Sequence, residues 1–494
     1  MAAETNNATA QAQAPLLQAL QAQAQRSDAA FYTPGHKRGQ GSPAALARLL
    51  GTAALRSDLP ELPELDDLFA PSGPIAEAQA LAAAAFGADR SWFLVNGSSC
   101  GIAAAMLAAC DPGDKIVLPR NSHQSAISGA ITSGAMPVFV EPACEPSSGL
   151  AAGVAPAAID AALAHHPDAR AVLVVRPTYQ GFCNDLAAIA DRVHRDGIPL
   201  LVDEAHGAHL AFHPKLPQSA LAAGADLVVQ SSHKTLGALT QAAMLHCQGA
   251  RIDTERIASA LQLLQSSSPN YALLASLDAA RQQMALEGNA RMAQTLALAK
   301  RARDRIPHQA GLPVLGLTPS HRSGGASALD PTRLTVDVSP AGLSGFAADG
   351  LLRDWLGVTA ECPLPHHLTF ALSLGNAASD TDCLIRSLAI LSEQFGCARA
   401  SAAFALGERP PSDLSRSPRE AFFAPSQSLP LERAAGEVSA ESVCPYPPGI
   451  PVLVPGEAIA PATVAYLQQL RRLGVRITGC RDPHLRALRV VRAP

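Results

Sequence analysis

The chain has 494 residues, too many for one simple core, so two to four domains are expected. Hydrophobic residues make up 48%, charged residues 16% and aromatics 4%, a profile that suits a helix-rich soluble enzyme. A formal charge of −4 leaves no basic footprint, which argues against a nucleic-acid partner. Residues 1–14 read as disordered. "PLLQALQAQAQ" (15–25) has the apolar spacing of a short docking helix. The start lacks a basic segment followed by an apolar run, so no secretory signal is read. No stretch approaches the roughly 18 apolar residues of a spanning helix, and no membrane partner is expected. Gly and Pro make "FYTPGHKRGQGSP" (31–43) a loop, and "DLPELPELDDLFAPSGP" (58–74) is irregular and acidic. From Ile75 an alanine-rich helix runs to about Phe86.

The chain then alternates. "SWFLVNG", "KIVLP", "MPVFVE", "AVLVVRP", "PLLVDEAHGAH" and "ADLVVQSSHK" read as strands. "SSCGIAAAMLAAC", "HQSAISGAITSG", the stretch near 155–165 and "NDLAAIADRVHRDG" read as helices between them. Continuous apolar strands in a βαβα rhythm predict a mostly parallel central sheet with helices on both faces. A long helical stretch follows, near 252–306. "GLPVLGL", "TRLTVDV" and "HLTFALSLG" then suggest a smaller α/β region. "ARASAAFALGERPPSDLSRSPREAF" mixes Pro, Ser and charge, and reads as a linker. The expected division is an N-terminal arm and loop (1–60), a large domain (61–300), a small α/β domain (301–400), a linker (401–422) and a C-terminal domain (423–494). Ten scattered cysteines include no C-x-x-C pair. They read as small buried hydrophobes in a reducing compartment, so the cytoplasm is expected, with neither a disulfide frame nor a zinc site.

Four polar clusters fall at predicted strand ends, where ligands of such sheets bind. In "NGSSCG" (96–101), Gly permits a tight turn into a helix start. That start binds anions, with Ser98 and Ser99 as added donors, unless the serines are plain N-caps. In "RNSHQS" (120–125), His123 fits a flat ligand's face or a structural hydrogen bond. In "VDEAHGAH" (202–209), Asp203 ends an apolar strand, a costly place for a carboxylate without a cationic partner. His206 and His209 alone make a weak metal reading. In "VVQSSHKTLGALTQAAM" (228–244), Lys234 is either a solvated side chain or an amine poised for an aldehyde, with Ser231 and His233 as phosphate donors. The four together fit one ligand: an anion, a flat ring, a protonated ring nitrogen and an aldehyde. Pyridoxal phosphate has those parts.

On these motifs the chain resembles the Orn/Lys/Arg decarboxylases of the aminotransferase fold, in their short form without a wing domain. "SSHKTLGALTQAA" is similar to the family's lysine signature and "FYTPGHKRG" to its N-terminal loop. "LDDLFAPSGPIAEAQALAAAAFGADRSWFLVNGSS" and "YPPGIPVLVPGE" also match closely. The likeness is good over roughly 15–300 and 420–460, and only in outline over 305–400. It implies pyridoxal phosphate fold type I, like aspartate aminotransferase, with smaller α/β C-terminal domains. It implies decarboxylation of arginine, lysine or ornithine to agmatine or a diamine plus carbon dioxide.

The resemblance also implies roles. Lys234 carries the cofactor as an internal aldimine. Ser98, Ser99, Ser231 and His233 hold its phosphate. His123 stacks on the ring, Asp203 pairs with the pyridine nitrogen, and Ala205 and His206 lie near the other face. Cys100 stands in the cradle where the family often has a larger residue, which is tolerable if backbone N–H groups bind there. The family is built on dimers that share active sites, so a homodimer or higher homo-oligomer is expected. Glu441, shortly before the Pro447-Pro448 turn, is expected at the substrate's distal cation. Asp66 or Asp67 of a neighbouring subunit compete for that role, and an exposed surface glutamate is the bland alternative. Transamination on the same fold, with Arg333 or Arg386 as carboxylate clamp, and a silent homologue that binds a partner protein remain competing functions.

Overall fold

The computed structural model describes residues 9–144, 149–395, 410 and 413–492. Residues 1–8 of the segment expected to be disordered lie outside that set, as does most of the expected linker before 413. The rest of each expectation needs correcting. Gln11 and Ala14 are buried. The buried Arg281 guanidinium donates to the Gln11 and Gln13 carbonyls at 2.8 and 2.6 Å, which holds 9–14 in place. Within the linker, Ser417 caps a helix at Pro418–Phe423.

Among the described residues, eight strands lie before position 250: β1 (Arg90–Leu94), β2 (Lys115–Pro119), β3 (Met136–Val140), β4 (Ala169–Val175), β5 (Phe182–Asn184), β6 (Leu200–Asp203), β7 (Leu227–Gln230) and β8 (Ala243–Cys247). The chain divides into two compact units. The first comprises the chain up to Ala108 and Pro199–Ala293. Its strands lie in the order β1-β8-β7-β6. β6 and β7 are parallel, with Asp203 beside Val229. β8 runs antiparallel to both β7 and β1, a strand the sequence reading missed. The docking helix is present at Pro15–Gln25 and buries Leu16 and Leu20. Asp278 caps it, accepting the Leu16 N–H at 3.0 Å. A further helix, Ala44–Ser57, was unforeseen; Gly51 in left-handed backbone kinks it. The expected long helix is two, Thr254–Leu264 and Tyr271–Ala310. Pro269 cannot continue the first, and Asn270 starts the second by accepting the Leu273 N–H at 3.0 Å.

The second unit comprises Ala109–Ile198 and Gln294–Pro494. In it β2 lies between β4 and β3, and all three are parallel. The strands at Arg333–Asp337 and His367–Ala371 pair antiparallel, with Cys362–Pro363 on the far side of the latter. Leu334, Val336, Leu352, Leu368 and Leu388 form the core of that region. A last layer pairs Ser426–Pro430 with Ala487–Val491 over Val443, Leu453, Leu467 and Leu485.

Candidate active site

The first unit gathers most of the predicted site. β1 leads into the helix Gly97–Ala109 through Gly97, whose φ of +73° favours glycine. A Cβ on Gly101 would lie 2.7 Å from Leu94 and from Val229, so only glycine lets the helix start sit on the sheet this closely. The first-turn N–H groups make that start an anion site. Ser231 Oγ donates to Ser98 Oγ at 2.7 Å, so two of the four expected phosphate donors converge there. Ser99 is exposed. The buried Cys100 thiol is pushed up to about 11 by burial, so it is a neutral lining group.

Asp203 ends β6 with 8% of its surface exposed. Its Oδ1 accepts the Ala205 N–H at 3.1 Å, and no cationic side chain among the described residues is within ion-pair distance of it. A buried carboxylate without a counter-charge is costly, and a cationic ligand atom removes that cost. Lys234 lies on the four-residue helix Ser232–Thr235. Its exposed Nζ is 3.2 Å from Nε2 of the buried His206. Burial, helped by the Lys234 charge, holds the His233 pKa below its ordinary value. The neutral ring accepts the Gln241 N–H at Nδ1, 3.1 Å away, which leaves Nε2–H as a donor. Gln241 takes a φ of +84°, unusual for a residue with a Cβ, and its side chain bonds the Val95 carbonyl beside the cradle. Hydroxyl and N–H donors, an unpaired buried carboxylate and an accessible amine are the set that pyridoxal phosphate requires, so these residues fit that group.

Behind Asp203 runs a buried polar chain that sequence reading missed. Glu204 Oε1 accepts the Ala220 N–H at 2.8 Å, and Oε2 accepts from Gln230 Nε2 at 2.8 Å. Gln230 Oε1 is 3.2 Å from His246 Nε2, and His246 Nδ1 is 2.7 Å from Ser91 Oγ. Phe86 stacks on the imidazole at 4.7 Å. Burial pushes the His246 pKa down from 6.5 to about 3, so it stays neutral. The unfolded chain takes up a proton below pH 6.5 that the folded chain refuses until about pH 3. Stability is therefore full above 6.5 and falls as pH drops towards 3, by up to about 1.4 kcal/mol per pH unit. His246→Gln is expected to flatten this acid limb, whatever it does at neutral pH. Calorimetric melting between about pH 7 and 4.5 checks this; an unchanged slope would assign the limb to other groups.

The acidic candidates are largely occupied. Asp66 accepts the N–H groups of Asp67, Ser72, Gly73, Ile75 and Ala76, so it caps the helix Pro74–Phe86. These bonds hold its carboxyl below the ordinary range, outweighing the desolvation of a partly buried group. Asp67 is exposed and uses only Oδ1, on the Phe69 and Ala70 N–H groups.

In the second unit, Glu441 is buried, not an exposed surface glutamate. Its Oε2 accepts the Arg481 N–H at 2.8 Å and its Oε1 the Arg489 N–H at 2.7 Å. It thus clamps two backbone segments, one with each oxygen. His123 caps the helix Gln124–Ser133, its Nδ1 accepting the Ser125 N–H at 3.2 Å. A Cβ on Gly449 of the "PPGIP" loop would lie 3.0 Å from His123 Nε2, so that loop packs on the imidazole. The buried Arg120 fastens the same loop, donating to Glu457 Oε1 and Oε2 at 2.9 and 3.0 Å and to the Pro451 carbonyl at 2.7 Å. Of the two possible clamps for a transaminase, Arg333 is buried 4.0 Å from Asp330 and Arg386 is exposed.

The family described as Orn/Lys/Arg decarboxylase, major domain, matches residues 14–319, and its C-terminal domain matches 415–482. An arginine decarboxylase of Bacillus subtilis is 38% identical over 485 residues, 98% of each chain. One from Halalkalibacterium halodurans is 38% identical over 490 residues, again 98% of each. The lysine decarboxylase LdcA of Pseudomonas aeruginosa is 30% identical over 300 residues, 55% of this chain and 40% of that one. Among solved structures, lysine decarboxylase A from Pseudomonas aeruginosa superposes with a TM-score of 0.82 at 23% identity, covering 99% of this chain and 81% of the other.

Proposed function

The chain belongs to the Orn/Lys/Arg decarboxylase family and decarboxylates a basic amino acid, and from that membership we propose L-arginine as its substrate and pyridoxal 5'-phosphate as its cofactor. Likeness at 38% identity over 98% of the chain to relatives named arginine decarboxylase supports the substrate, since relatives named lysine decarboxylase are 30% identical over 55% of the chain or 25% identical over 94%. The observation that carries the cofactor is Asp203, a buried carboxylate with no cationic side chain within ion-pair distance among the described residues, in the same unit as the exposed Lys234.

Lys234 Nζ binds the cofactor's aldehyde carbon. Ser98, Ser99, Ser231, His233 and the helix-start N–H groups hold its phosphate, Cys100 contributing backbone alone. Asp203 keeps the ring nitrogen protonated, Ala205 and His206 line one face of the ring, and His123 is the stacking residue. Bound pyridoxal phosphate supplies an electron sink for the pair left on Cα as carbon dioxide departs. Once the substrate's amine had taken its place on the aldehyde carbon, Lys234 Nζ would return a proton to Cα, and His206 Nε2, 3.2 Å away, would replace that proton on Nζ.

The distal guanidinium falls to Asp67 of a second copy in a homodimer, because its Oδ2 accepts none of the N–H bonds that occupy Asp66 and Glu441. Asp67→Asn is expected to raise KM for arginine about 10–100-fold, the worth of a charge-assisted hydrogen bond, with the visible cofactor band unchanged. Glu441→Gln is expected to lower the melting temperature and leave KM alone. The opposite pattern would return the role to Glu441.

No two of the nine described cysteines are joined in a disulfide, which supports a reducing compartment such as the cytoplasm. No helix among the described residues is long and apolar enough to cross a membrane. The test of the function is a side-by-side assay of carbon dioxide release from arginine, lysine and ornithine, with keto-acid formation followed in parallel. Agmatine from arginine is expected to dominate. Faster turnover of lysine or ornithine would overturn the substrate, and keto-acid formation as the main reaction would favour transamination.

A further inference from the structure

Glu204 and Gln230 take no part in the chemistry above, yet each is the chain neighbour of a residue that does. Glu204 follows Asp203, and Gln230 precedes Ser231, three residues before Lys234. Adjacent side chains of an extended segment point to opposite faces, so this pair lies on the sheet face away from the cofactor site. Ser91, Glu204, Gln230 and His246 are each at most 2% exposed. A neutral His246 that accepts the Ser91 hydroxyl at Nδ1 carries its proton on Nε2, and donates it to Gln230 Oε1. The amide of Gln230 then donates to Glu204. Every donor in the chain points towards that carboxylate.

Before Asp203 and Gln230 the two strands are uniformly apolar, "LLV" and "LVV", and both strands are buried along their whole length. Apolar side chains on both faces say little about register, and slanted parallel bonds tolerate slippage. A buried carboxylate and amide say a great deal. In any other register of β6 on β7, Glu204 Oε2 and Gln230 Nε2 lose each other in the core, a costly mismatch.

We propose that the Glu204–Gln230 hydrogen bond is the register lock of the cofactor site, fixing the strand end that carries Asp203 against the strand end that carries Ser231 and Lys234. Both are positioning residues. The proposal rests on the reading that Asp203, Ser231 and Lys234 hold pyridoxal phosphate.

The test compares the full-length wild type with Glu204→Gln, Gln230→Glu and the exchange of both. Each apoprotein is titrated with pyridoxal phosphate by its visible band, with visible circular dichroism and apoprotein melting recorded alongside. In Glu204→Gln the carboxylate acceptor is gone, and in Gln230→Glu two carboxylates face each other. In the exchange, the amide introduced at position 204 donates to the carboxylate introduced at position 230. That carboxylate still accepts from His246, and the Ala220 N–H keeps an acceptor. Each single variant is expected to bind the cofactor roughly tenfold or more weakly and to change the dichroism of the bound form. The exchange is expected to restore affinity to within about threefold, the non-additivity of residues that act together.

Single variants with wild-type affinity and dichroism would overturn the proposal, even if their melting temperatures fall, because the pair would then be structural only. So would an exchange that folds but binds no better than the singles. Should the exchange not fold, Gln230→Met, which keeps the shape and removes the amide, must weaken binding as the singles do, or the lock is refuted. A wild type that gains no visible band overturns the underlying cofactor reading instead.

Discussion

Lys234→Ala is expected to abolish carbon dioxide release from arginine, with a loss of at least ~10³-fold, the scale on which enzymes fail when a covalent catalytic group is removed. The visible band of the bound cofactor is expected to disappear with it. The ammonium sits on a single helical turn at the end of β7, is accessible, and faces His206 at 3.2 Å. Among the described residues, no other lysine or arginine lies just past a strand of that unit next to the serine-lined cradle. Because the side chain is exposed, its truncation leaves no cavity, and the apoprotein should melt as the wild type does. Retained melting with lost band and lost turnover is the diagnostic combination. Activity within about tenfold of wild type would sink the assignment, since no second amine could take over the covalent role.

Much of this site was legible because its residues are local to strand ends. Ser98, Asp203 and Lys234 each sit one to five residues past an apolar run, and a sheet brings such ends together without further information. What escaped was whatever depends on distant partners or on direction. β8 is a five-residue apolar run, "AMLHC", and an apolar run carries no sign of whether it runs with or against its neighbours. Glu204 stood in the same quoted stretch as Asp203. Strand alternation alone puts it on the other face, but its partners Gln230 and Ala220 lie 26 and 16 residues away. Glu441's part as a backbone clamp escaped for the same reason. Its proximity in sequence to the "PPGIP" loop suggested a substrate role, whereas its oxygens are taken by amides 40 and 48 residues downstream. The helix at Ala44–Ser57 was hidden by Gly51 and by the Gly- and Pro-rich loop before it.

Asp203→Asn is expected to retain cofactor and lose turnover by about 10²–10⁴-fold, the range typical of positioned proton-handling groups. The substitution keeps size, so the Ala205 N–H, 3.1 Å from Oδ1, still finds a carbonyl acceptor and the end of β6 keeps its shape. What changes is charge. In the proposed site the buried carboxylate and a protonated ring nitrogen would neutralise each other where neither would enter alone. With an amide there, the nitrogen has no counter-charge, its proton is lost more readily, and the ring accepts electrons less well. The loss therefore belongs in kcat, with KM for arginine little affected, because the substrate's carboxylate and guanidinium meet other residues. Affinity for the phosphate end rests on Ser98, Ser231 and the helix start, so the variant should still show a cofactor band, displaced in wavelength. Asp203→Glu is the companion: it restores the charge but overreaches a strand end packed against Val229, and should recover only part of the rate. Single-turnover carbon dioxide release, read beside the visible spectrum, tells the two apart. A near-normal kcat in Asp203→Asn would mean that the carboxylate only holds the Ala205 N–H, and that the ring nitrogen works unprotonated.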